Sequence, residues 1–217
     1  MNKKTENQES LVFSYLELRK TLGILGTSLP FILCLGAWII FDISLQSSLS
    51  SYYHTGMGDV LVGMLFAIGF FLLSYKGYER LDDIAGDLGF VFALGVALFP
   101  TTPQGSGGSH VIGYVHMAFT FLFFSILVYF SLFLFTKTDP EKSPTQRKLQ
   151  RNKVYKVCGI TMGVCILLIA VYVFLPDHLA GVFKPYKPVF WLEAMAILAF
   201  GISWLIKGET LLRDTEK

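Results

Sequence analysis

Charge is scarce in this sequence. Of its 217 residues only 16% are Asp, Glu, Lys or Arg, against 53% hydrophobic, and the mean hydropathy is +0.55. Soluble domains carry about a quarter charged residues, so the balance argues against a water-soluble globule. Usable cysteine pairs are lacking too: Cys34, Cys158 and Cys165 all lie inside apolar runs, where no exported disulfide forms and where a soft metal would want more thiolates or a histidine beside them. They are expected to pack in a core. The alternation of apolar and polar residues that marks a barrel strand is missing, which leaves helices. No linker divides the chain into two domains. Nor is a cleavable leader expected: the first apolar run begins at Leu22, after Lys3, Lys4, Arg19 and Lys20, without a small-residue cleavage pattern, and this span is expected to remain as an anchor.

What the chain does have is six apolar runs near the length of about 20 residues that a hydrocarbon core requires. They are Leu22 to Phe41, Met57 to Leu73, Ile84 to Phe99, Val111 to Phe135, Val157 to Leu175 and Val189 to Ile206. The expected fold is all-α, a polytopic membrane bundle of six transmembrane helices over 22–207, with an N-terminal segment 1–21 and a tail 208–217. Lys and Arg number 16 before span one, between spans two and three, between four and five and after six, against Lys184 and Lys187 alone in the alternate joints. Positive residues collect on the cytoplasmic side, so both termini are expected there. Because the basic residues are sorted by membrane side, the net charge of +2 is no sign of nucleic-acid binding. The densest stretch, Arg147 to Lys156, reads as a topology determinant that could also attract anionic lipid. Gly159-x3-Gly163 is expected to admit a neighbouring helix, and Pro30 to kink the first span.

With that topology every histidine falls toward the outer side: His54, His110, His116 and His178. Asp42, Asp59, Asp177 and Glu193 join them, as does the joint Ser50-Ser51-Tyr52-Tyr53. His116 and Glu193 lie inside apolar runs, about 6 to 8 Å below the outer boundary at 1.5 Å per residue. A carboxylate at that depth should face the bundle interior and find a partner or a wet cavity. His116 is the expected partner and Asp59 the expected neighbour. Tyr52, Tyr53, Tyr186 and Trp191 read as an aromatic belt, Asp82 and Asp83 as solvated, and Asp87 as an inner polar contact.

Imidazole and carboxylate suit zinc, and a catalytic zinc needs three protein ligands and an open position. His54, His110 and His116 are the candidate ligands. Glu193 is the candidate general base, with Asp59 and Ser50 as further catalytic candidates. The alternative is a buried hydrogen-bonded pair, His116 and Glu193, that only fixes helix packing.

At Ser50-x3-His54 followed by Asp59 the chain resembles the seven-span membrane hydrolases that include alkaline ceramidases and adiponectin receptors. That resemblance implies a metal at His54, with Ser50 and Asp59 polarising its water; the chain departs from it in having six spans and no late His-x3-His pair. Across Ser51 to Val60, Val96 to Thr101 and Arg151 to Tyr155 it is similar to a family of uncharacterised bacterial six-span membrane proteins, which implies a multi-pass protein of the bacterial inner membrane. Together these point to an integral membrane protein in contact with lipids, with an outer polar pocket and a possible zinc-dependent hydrolase activity on a lipid or other amphipathic substrate. The alternative is lipid binding, sensing or proton-coupled transport.

Overall fold

The computed structural model describes residues 3–77, 79–103, 111–138, 143–210 and 212, with side chains from Tyr15 onward apart from Asp177. Helices are α1 (Lys3–Phe41), α2 (Gly58–Leu73), α3 (Arg80–Leu98), α4 (Val111–Tyr129), α5 (Gln146–Val173), α6 (Asp177–Phe183) and α7 (Pro188–Lys207). Short 3-10 turns occupy Ser50–His54 and Lys184–Tyr186, and α4 continues as a π-helical segment, Phe130–Leu134. No strand occurs among the described residues. Among the described residues four helical stretches are long and apolar enough to cross a membrane: Tyr15–Phe41, Val111–Leu134, Gln146–Val173 and Pro188–Lys207. α2 is apolar but shorter, at 16 residues. α3 has 19 residues but carries Asp82, Asp83 and Asp87.

Two boundaries differ from the sequence reading. α1 runs unbroken from Lys3 through Pro30, and α5 starts at Gln146 rather than Val157. Lys and Arg are good helix formers, so a charged stretch can extend an apolar helix into water. Thr145 caps α5 by accepting the Lys148 amide at 3.1 Å.

The six long helices close into a ring: α1 packs on α2, α2 on α3, α3 on α4, α4 on α5, α5 on α7, and α7 back on α1. The α1–α7 seam is built on small residues. A Cβ on Gly23 would lie 2.6 Å from the Leu205 amide nitrogen, and one on Gly201 2.5 Å from that of Thr27. Backbones approach this closely only where side chains are absent, which is how apolar helices associate without a hydrophobic driving force between them. The expected Gly159-x3-Gly163 contact is half present: Gly159 abuts Leu132 and Ser131, whereas Gly163 faces open space.

Polar contacts define the ends of the ring. At one end the segment 42–57 meets the start of α7, where Phe190 donates its amide to the Ser47 carbonyl at 3.1 Å and Lys187 Nζ donates to the Leu45 carbonyl. At the other end the Lys76 amide donates to the Tyr15 hydroxyl at 2.8 Å, Arg151 Nη1 to the Leu212 carbonyl at 3.2 Å, and Gly208 packs on the Lys20 backbone. Trp204, fully buried, fills this second end, with the rings of Tyr75, Phe130, Phe135 and Phe200 at 5.0 to 6.2 Å. Asp82 is here, 1% exposed and 2.7 Å from Lys137 Nζ, while Asp87 is exposed. The expected roles of these two acids are therefore reversed. The i, i+3 face of α3 that carries Asp82 and Ala85 packs inward, whereas Asp87 lies on the opposite face.

Candidate functional site

Between the helices at the His54 end lies a cavity of about 50 Å³, lined among others by Ser50, Tyr53, His116, Thr120, Glu193 and apolar side chains of α1, α2, α3, α4 and α7. α4 and α7 both flank α5 in the ring and do not pack side by side, and residues remote in sequence meet at this void. A cavity of this size holds a few waters or one small polar group.

Glu193 is in the second turn of α7 and only 8% exposed. Its Oε2 accepts the Leu49 amide at 2.6 Å and the Ser50 amide at 3.3 Å, and its Oε1 accepts the Ser50 hydroxyl at 3.4 Å. These amides open the 3-10 turn Ser50–His54 and have no partner within it, so a carboxylate from another helix serves as their cap. His116 is 6% exposed. Its Nδ1 lies 2.7 Å from the Phe99 carbonyl at the end of α3; a carbonyl only accepts, so Nδ1 donates to it. Thr120, one helical turn beyond His116, has a buried hydroxyl without a partner. Its i, i+4 spacing from His116 puts it on the same face of the helix, a signal the sequence carries.

His116 and Glu193 thus share a cavity, but not as the hydrogen-bonded pair expected. Each is satisfied by backbone, the one from the α3–α4 connection and the other from the 3-10 turn. Asp59 is exposed on the first turn of α2 and is not among the cavity residues. His178 is exposed on α6. His54 is exposed, with Nε2 2.6 Å from the Thr101 carbonyl. His110 lies outside the described residues. Tyr52 leaves the proposed belt: it is fully buried, with its hydroxyl 3.5 Å from Cys34 Sγ. Burial, then that bond, pushes the hydroxyl above the ordinary phenol range. Tyr186 and Trp191 are exposed, and Tyr53 faces the cavity. Cys158 and Cys165 are buried in α5.

Among the described residues no group of three or more His, Cys, Asp or Glu side chains gathers in a metal-binding arrangement. Comparison with protein-family models, curated proteins and solved structures finds no match for this chain.

Proposed function

We propose that this chain is a multi-pass integral membrane protein of the bacterial inner membrane whose outer-half cavity binds the polar end of an amphipathic molecule such as a lipid. On this reading all six long helices cross the bilayer and the Trp204 end, richer in Lys and Arg, faces the cytoplasm. The observation that carries it is the cavity itself: Glu193, Ser50, His116 and the unpartnered Thr120 hydroxyl converge inside an otherwise apolar ring. Polar groups at that depth are costly unless they serve packing or a ligand. No Lys or Arg lines the void, and the Glu193 carboxylate and the hydroxyls of Ser50, Tyr53 and Thr120 can accept hydrogen bonds, so the group that enters is one that offers N–H or O–H, as an ammonium, amide or hydroxyl does. The volume admits that group alone, and the chain behind it lies against apolar walls. Native mass spectrometry of the detergent-purified chain tests this. A bound amphipathic species should be retained by the parent and depleted in Glu193→Gln and Thr120→Val; equal occupancy in all three removes the cavity from the reading.

Metal-dependent hydrolysis is a second reading, favoured by one observation. His54 and His116 each hold a carbonyl of the same connection, Thr101 and Phe99, and such backbone bonds fix tautomer and ring orientation in metal-ligating histidines. Zinc would then be held by His54, His110 and His116, and would supply an acidified water. Glu193 would take up a proton, Ser50 would position it, and Asp59 would act from the rim. A stoichiometric transition metal that is lost in His116→Ala and kept in Glu193→Gln supports this; no metal in the parent after metal-replete growth leaves the binding reading alone.

A further inference from the structure

The groups that satisfy Glu193 are all uncharged. The Leu49 and Ser50 amides and the Ser50 hydroxyl donate to its two oxygens, and among the described residues the carboxylate forms no ion pair with Lys, Arg or His. The connection 104–110, outside the described residues, contains no Lys or Arg. Three neutral donors orient a buried carboxylate and ease its burial, but they bring no counter-charge into an apolar ring.

The other walls of the cavity suit a small cation. Tyr53, Phe123 and Phe124 line it, and aromatic rings attract ammonium groups through their quadrupoles. The Thr120 hydroxyl, buried without a partner, has lone pairs to offer. A hydroxyl or amide entering the void could bond to these groups, yet it would leave the charge of Glu193 uncompensated. A trimethylammonium would bring charge but no N–H, and it is larger by three methyl groups in a cavity of about 50 Å³ that holds a few waters. A primary ammonium alone combines positive charge, three donors and small size.

We propose that the Glu193 cavity selects a primary ammonium group on an amphipathic molecule, over its quaternary and its uncharged counterparts. This rests on the reading of the cavity as the site for the polar end of such a molecule, and it adds the charge and the donors which that end must carry. The headgroup of phosphatidylethanolamine and a simple long-chain amine share this chemistry.

The test uses the full chain in an uncharged maltoside detergent, titrated separately with dioctanoyl phosphatidylethanolamine, its N,N-dimethyl and N,N,N-trimethyl homologues, dioctanoylglycerol and decylamine. Native-mass adducts and melting temperature are the readouts. The ethanolamine lipid should bind saturably, with affinity falling on methylation, by about tenfold or more at the trimethyl stage. Glu193→Gln, which keeps an oxygen for the Leu49 amide, should abolish that preference, and Thr120→Val should weaken the ethanolamine lipid by about threefold or more. If the Gln variant does not fold, the methylation series on the parent and Thr120→Val decide. Asp42→Asn removes an exposed carboxylate at the same end and should bind as the parent does, which separates pairing in the cavity from general attraction of cations. A matching response to decylamine assigns the ammonium alone, and a response to the phospholipid without decylamine assigns its headgroup. Equal affinity for the ethanolamine, trimethyl and glycerol probes, or a preference that persists in Glu193→Gln, overturns the ammonium assignment while an amphiphile site stands; no saturable binding of any probe overturns both.

Discussion

Glu193 of α7 accepts the backbone amide of Leu49 at 2.6 Å, across 144 residues of chain. One carboxylate thereby closes the cavity, because the 3-10 turn it caps carries Ser50 and Tyr53 onto the void. Glu193 is both a cavity group and the tether of its roof, and these roles separate by substitution.

Glu193→Ala leaves the buried Leu49 amide and its neighbour without an acceptor, at about 1–3 kcal/mol for each unsatisfied group. Glu193→Gln keeps one carbonyl oxygen and should lose less than half as much. Thermal unfolding in detergent orders the parent, Gln and Ala variants; an Ala variant as stable as the parent contradicts the tether.

The α1–α7 seam predicts a contrast between glycines. Gly201→Ala puts a methyl group against the Thr27 backbone and should destabilise by about 1–3 kcal/mol, the usual cost of overpacking. Gly163→Ala and Gly63→Ala meet nothing within 4 Å and should be neutral or stabilising by about 0.5–1 kcal/mol, since Ala is the better helix former. Denaturant or thermal unfolding of the three variants checks the order.

Asp82 and Lys137 set the alkaline limit of the Trp204 end. The hydrogen bond to Asp82, more than the one to Glu79, holds the Lys137 ammonium above the ordinary lysine range. A raised folded-state value means the stabilisation is complete below the unfolded lysine value and disappears as pH rises through the higher, folded one. Stability of the parent should therefore fall above about pH 10.5, with less of that loss in Lys137→Gln. Asp82→Asn should cost about 2 kcal/mol at neutral pH, typical of a hydrogen bond to a charged group. Melting curves from pH 7 to 11 measure both.

Sidedness is read by labelling single cysteines in an otherwise thiol-free chain. Ser44→Cys and Pro144→Cys, both exposed and at opposite ends of the ring, should react with impermeant maleimide from opposite sides of intact membranes, Pro144→Cys from the cytoplasmic side. Reaction from the same side removes the outer assignment of the cavity.

Composition and run length alone determined that the chain is helical and apolar enough for a membrane, because each helix satisfies its own backbone and must present apolar side chains over about 20 residues. That His116 and Glu193 come to one level of the bundle was legible for the same reason, since position along a helix is counted in residues. Which way each side chain points was not. Asp82 reads as solvated from its place at a helix start, yet packing of α3 buries it against Lys137; Asp59 reads as a cavity group from its depth, yet faces outward. Tyr52 reads as interfacial, yet the chain after α1 folds it under Cys34. The partners of Glu193 were hidden for a further reason: they are backbone amides, which no sequence pattern distinguishes, and the closure of α1, α2, α3, α4, α5 and α7 into a ring brings them within reach. Only that closure decided which of the polar residues share a cavity.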